Sequence, residues 1–227
     1  MVYSSNATNG LDNYFRVIIR QVYLGTSPGN ATPLFNASEL NLVPFGTIVD
    51  TGTAVSTFPT SWYSILNQGW LNKVGIFFDP YLAFTEAQLN DVISTFPTLY
   101  FQLVGDDNQN AANGLAASFD PNHPLDVIVA LPPSKYIQAL GSISTTQYYG
   151  PQFLFSDMNQ TILGENIIAG HDVHFDYLNN RIGWADSNCG YARVVPPPKP
   201  KPSAKPIARP IASKSAPRPT AKPSKKA

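Results

Sequence analysis

The chain has 227 residues, 43% of them apolar and only 13% charged, enough apolar material for one large core or two small ones. Its net charge of zero hides a segregation: nine Lys or Arg and no acid follow Pro196, while residues 1–195 hold six basic and fifteen acidic residues, a net of −9. An acidic body argues against nucleic acid as a partner, and the single cysteine, Cys189, excludes a disulfide framework within the chain.

Residues 1–13 read as a lead-in with neither a basic segment nor an apolar one, so they do not resemble a secretion signal. No run approaches the length of a membrane span. Four tripeptides nevertheless fit the Asn-x-Ser/Thr acceptor pattern: Asn6-Ala-Thr8, Asn30-Ala-Thr32, Asn36-Ala-Ser38 and Asn159-Gln-Thr161. One such match arises easily by chance; four favour a secreted glycoprotein whose targeting segment lies elsewhere.

"NYFRVIIRQVYLG" alternates Phe15, Val17 and Ile19 against Arg16 and Arg20, which predicts one long half-buried strand. "TIVD" at 47–50 is a short apolar strand. "TSWYSILNQG" predicts a helix, with Trp62, Ile65 and Leu66 at helical spacing and Gly69 as its stop. "FTEAQLNDVISTF" predicts another, in which Thr85 caps, Gln88 completes a capping box and Phe84 staples against Leu89. Its buried stripe is Leu89, Val92, Ile93 and Phe96.

Further strands follow at "LYFQLVG" (99–105), "LDVIVAL" (125–131), "QFLFSD" (152–157), "HDVHFDY" (171–177) and "RIGWAD" (181–186), with a brief helix at "PPSKYI" (132–137). Asp106-Asp107 with Asn108 and Asn110 reads as a hairpin loop; the ligand spacing and terminal Glu of a calcium loop are missing. The sum is an all-β domain over 14–192 with small surface helices.

From 193 to 227 the chain is a Pro/Lys-rich tail. Ten prolines after Val195 and an absence of aromatics leave too little apolar surface to order it, so an extended, polyproline-like segment is expected. It reads first as a solvated terminus and second as a cationic tether to an anionic surface.

Asp50 is the residue that asks for an explanation. A carboxylate at the end of a buried strand is expensive unless neighbours donate hydrogen bonds to it. In "DTGT" the Gly52 region supplies a backbone N–H and Thr53 a hydroxyl within reach of a tight turn, and glycine tolerates the backbone angles. An Asx-type turn that merely ends a strand explains the triplet equally well.

The surrounding residues add more. "IVDTGTAVSTFPTSWYSIL" resembles the second active-site loop of the pepsin-like aspartic proteases, and "TILGENIIAGHDVHFDYLNNRIGWADSNC" resembles that family's closing segment. "FPTLYFQL" and "ALPPSKYI" are similar to its intervening elements, in the same order, so the resemblance covers roughly residues 14–189. It implies a pepsin-like acid protease lobe of β-sheets, the C-terminal one of two. Asp50 would then be a catalytic carboxylate, Thr51 would direct its hydroxyl to the opposing loop, and Gly52 and Thr53 would hold the acid. The Ile162-Leu163-Gly164 strand would pass beside it. The family often has Ser where Ala54 stands.

The resemblance also implies a second Asp-Thr-Gly on a first lobe, and no other Asp-Thr-Gly or Asp-Ser-Gly occurs in the chain. The chemistry needs two carboxylates about 3 Å apart that share one proton. The expectation is therefore an aspartic-type endopeptidase acting on extended polypeptides, this chain supplying one lobe and one aspartate, with a missing N-terminal lobe as its partner. A non-catalytic single-lobe binding protein is the second reading, and a homodimer pairing Asp50 of each copy the third. No cofactor is expected. His171 and His174, three apart on a strand, face opposite sides and cannot share a metal. Asp176 reads as structural, and Glu165 as the charge on a short helix's first turn.

Overall fold

In a computed structural model, which describes residues 1–5, 14–36, 40, 46–79, 82–113, 118–157 and 160–187, the apolar runs fold as short strands broken by polar turns. The described residues all fall within the unit Met1–Gly190. Cys189, Asn6, Asn159 and the 193–227 tail lie outside them.

In chain order the first strands are β1 (Val2–Ser5), β2 (Arg16–Val17), β3 (Ile19–Gly25), β4 (Thr32–Pro33), β5 (Thr47–Val49) and β6 (Ser56–Pro59). Helix α1 (Ser61–Val74), strand β7 (Phe84–Thr85), helix α2 (Glu86–Val92), strand β8 (Thr98–Leu103) and helix α3 (Asp107–Ala112) follow. Then come β9 (Val127–Leu131), α4 (Pro133–Tyr136), β10 (Ile137–Ile143), β11 (Thr146–Pro151) and β12 (Phe153–Ser156). The last elements are β13 (Thr161–Leu163), α5 (Glu165–Ile168), β14 (His171–Asp176) and β15 (Arg181–Asp186). The fold is all-β, with few and short helices.

The strands form a five-stranded sheet ordered β12-β6-β13-β5-β2, a four-stranded sheet ordered β4-β3-β8-β9, and two three-stranded sheets, β1-β15-β14 and β10-β11-β7. In the five-stranded sheet, β13 runs parallel to β5, pairing Leu163 with Val49, and meets β6 through Ile162 and Thr57. β5 is buried along its whole length, so its unbroken apolar run is what a central strand requires.

The long strand expected over 13–25 is two strands. Val17 pairs with Thr47 in the five-stranded sheet, whereas Val22 pairs with Phe101 in the four-stranded one. The chain changes sheets at Ile18, which is 47% exposed and whose carbonyl accepts from the Val104 N–H. One apolar alternation thus serves two layers, and Arg16 is buried where the pattern placed it on the polar side.

Helix α1 runs past Gly69 and stops at Gly75, which takes the left-handed conformation at φ 80° and returns its N–H to the Leu71 carbonyl. Gly69 is a packing residue instead, because a Cβ there would run into Leu34. Helix α2 starts as its sequence dictates, with the Thr85 and Gln88 side chains each bonded to the other's backbone N–H. Leu89 and Phe96 are buried and Val92 and Ile93 partly so.

Residues 106–112 are not a hairpin loop: the Asp106 carboxylate accepts from the Gln109 N–H and caps α3. The Asn110 side chain then bonds both Tyr3 backbone groups and the Leu125 carbonyl. It thereby fastens β1, expected as part of a lead-in, beside β15. The strands β6, β10 and β11 were also not expected; β10 carries long exposed stretches, so its apolar pattern is weak.

Between the layers lies an aromatic core. Phe58 sits within 5.5–6.2 Å, ring centre to ring centre, of Trp62, Phe101, Phe153 and Phe155. Full burial of a ring of this kind stabilises the fold by about 1.5–3 kcal/mol. Phe58 is a β6 residue, so the core grips one arm of the loop that carries Asp50.

Candidate active site

β5 ends at Val49, and the backbone N–H of Asp50 donates to the Leu163 carbonyl at 3.0 Å, continuing the ladder with β13 by one more bond. The chain then turns through the exposed residues Thr51 and Gly52 and returns as β6. Because β13 lies between β5 and β6, the two arms of the loop flank a third strand, an outline like the letter ψ.

Both carboxylate oxygens are held from within the turn. The Gly52 N–H donates to Oδ1 at 2.8 Å, and the Thr53 hydroxyl donates to Oδ2 at 2.6 Å. The Thr53 hydroxyl first and the Gly52 N–H second hold the Asp50 carboxyl below the usual carboxylate range, against a smaller opposing effect of burial. Asp50 is half-buried, so solvent still reaches it.

Of the other site residues, Ile162 is half-buried and Leu163 and Gly164 are buried. Gly164 sits where nothing larger fits: a Cβ there would lie 2.5 Å from the Thr53 carbonyl oxygen and 3.1 Å from the Ser56 nitrogen. This close approach lets the Glu165 N–H donate to the Thr53 carbonyl at 2.7 Å and the Gly164 N–H donate to the Ser56 hydroxyl oxygen at 2.9 Å. Glu165 occupies the first turn of α5. Asp50, Thr53 and Gly164 are thus joined in one connected arrangement, while Thr51 stands at its exposed tip.

Two residues that sequence reasoning passed over complete it. Ser56 is fully buried, and its N–H and hydroxyl both donate to the Asn166 side-chain oxygen, at 3.0 and 2.6 Å. The Asn166 amide nitrogen donates to the Gln152 carbonyl at 2.9 Å. The available signal was a polar residue in each of two apolar runs, "AVSTFP" and "ILGENII". Nothing in either run says that the two polar residues meet.

The other titratable candidates serve elsewhere. Asp176 accepts from the Asn179 backbone and side chain and from Arg181 Nε at 2.8 Å; the Asn179 amide is the main cause holding its carboxyl low. His171 Nδ1 lies 3.1 Å from the Ile167 carbonyl, whereas His174 Nδ1 lies 3.4 Å from the Tyr3 hydroxyl. Among the described residues no group of three His, Cys, Asp or Glu could hold a metal ion.

Chemically, a lone ionised carboxylate can take a proton from water or orient it. It cannot at the same moment donate a proton to a scissile carbonyl, so acid–base hydrolysis of a peptide requires a second, protonated group. Protein-family models and curated proteins, compared with the chain, give no match.

Proposed function

We propose that this chain is one lobe of a pepsin-like aspartic endopeptidase, with Asp50 as its contribution to a carboxyl dyad. The observation that carries the proposal is the ψ-shaped loop, which presents a half-buried Asp50 carboxylate gripped by Gly52 and Thr53 beside β13. A strand-ending Asx turn needs neither the third strand nor the second grip on the acid.

In the proposed reaction a second carboxyl group faces Asp50. The ionised member of the pair takes a proton from a water molecule while the protonated member donates to the oxygen of the scissile carbonyl, and the water oxygen bonds to the carbonyl carbon. The opposing carboxyl comes from a first lobe or from a second copy. Thr51, exposed at the loop tip, would bond across to the opposing loop. A polypeptide bound in extended form between the lobes is the substrate. The tripeptide acceptors agree with a secreted protein, and the cationic tail with an anionic surface as a secondary partner.

The test is proteolysis of a denatured protein at about pH 3–5, where such a dyad holds one proton. The natural protein is expected to cleave, and D50N to be inactive. A rate that grows with the square of chain concentration assigns the partner carboxyl to a second copy. Absence of cleavage both by the chain alone and by the chain paired with a first lobe that carries its own Asp-Thr-Gly, or full activity in D50N, overturns the proposal in favour of a non-catalytic binding lobe.

A further inference from the structure

We propose that Asn166 is a positioning residue: by clamping Ser56 to the start of α5 it fixes the distance at which Thr53 meets Asp50. It rests on reading Asp50 as the reacting carboxyl. Asn166 touches neither Asp50 nor any group that would contact substrate, so its effect runs through the loop arm.

Asn166 is 2% exposed, and every polar atom of its side chain is used. Its oxygen accepts twice from Ser56, its nitrogen donates to Gln152 just before β12, and its own backbone N–H donates to the Ala54 carbonyl at 3.3 Å. Ser56 passes the constraint on by accepting from the Gly164 N–H. Residues 53, 54 and 56 are thereby pinned, one after another, to residues 164–166. Thr53, whose carbonyl accepts from the Glu165 N–H, reaches the acid with its hydroxyl at 2.6 Å.

The chemistry of the amide suits this task. An asparagine oxygen accepts two bonds while the nitrogen of the same group donates, so one side chain ties the loop arm to the β12 approach without burying a charge. Aspartate in its place would bring a second negative charge under the loop. Leucine would leave the Ser56 N–H and hydroxyl buried without an acceptor.

The experiment follows the Asp50 carboxyl carbon by NMR titration in the full chain, with no assay of proteolysis involved. In N166A, and in S56A, which keeps the backbone bond to Asn166 but breaks the bridge to Gly164, the Asp50 midpoint is expected to rise toward the ordinary carboxylate value. L66A, which weakens the α1 packing away from the loop, lowers stability without moving it. Midpoints in N166A and S56A equal to that of the unaltered protein overturn the positioning role, whatever happens to proteolysis. If N166A does not fold, S56A decides alone. A shifted midpoint in a protein that never cleaves peptides keeps the clamp and removes only the protease reading.

Discussion

The guanidinium carbon of Arg181 sits 4.4 Å from the centre of the Tyr3 ring, while Nε of the same arginine donates to Asp176 at 2.8 Å. A residue of β15 is therefore stacked on β1 and tied to the last residue of β14. Tyr3→Leu is expected to destabilise the fold by about 0.5–1 kcal/mol through the lost cation–π contact. In Arg181→Leu the Asp176 carboxyl should titrate higher than now but stay below the usual range, because the Asn179 amide is the larger cause of its low value. Urea denaturation of Tyr3→Leu measures the first effect and carboxyl-carbon NMR on Arg181→Leu the second.

Asp126 offers a sharper case. It is buried at 3% exposure and takes hydrogen bonds from Arg20 and Gln102, both at 2.6 Å, and from the Gly105 N–H at 3.0 Å. Asp126→Ala leaves the Gln102 amide and the Gly105 N–H without their acceptor, while the Arg20 side chain, 32% exposed, turns to water; it should cost about 1–3 kcal/mol. Asp126→Asn, which still offers an oxygen, should cost less. Urea denaturation gives the order.

Gly164→Ala is expected to cost about 1–3 kcal/mol, because the added methyl meets backbone atoms that cannot move aside. Gly29→Ala is the control: a Cβ there meets nothing within 4 Å, and its effect should stay within about 0.5 kcal/mol. Equal melting temperatures for the two variants would contradict the tight approach of β13 to the loop.

Thr53→Val removes the larger of the two bonds that hold the Asp50 carboxyl low, so its titration should move up. The sign of the stability effect follows from linkage. A carboxyl whose folded value lies below its unfolded one, here about 3.8, stabilises the fold above that pH and loses the contribution as pH falls through the folded value. Thr53→Val should therefore be less stable than the unaltered chain above about pH 4, with the gap narrowing on acidification. A gap that widened toward low pH would contradict it.

Local chemistry was legible in the sequence where one short stretch decides the structure. The Thr85–Gln88 capping box, the strands at 47–49, 127–131 and 171–176, and the donors to Asp50 in the turn all follow from residue types a few positions apart. Two kinds of feature were not legible. Gly69 reads as the stop of α1, but the helix runs on to Gly75, and Gly69 instead gives room to Leu34, a contact across the fold. Ile18 looked like one more apolar residue in an alternating run, but the run is split between two sheets, and alternation carries no mark of which sheet a residue joins. The Ser56–Asn166 pair fails for the same reason, since hydrogen bonding between distant polar residues has no periodicity to read.

The insertion of β13 between β5 and β6 also constrains how the protein comes into being. Ser56 and Asn166 stand 110 positions apart in the chain, and closing so long a span is slow and entropically unfavourable until the intervening layers have collapsed. During synthesis Ser56 therefore precedes its partner Asn166 by 110 residues. The arrangement around the Asp50 loop is complete only once those distant residues have met.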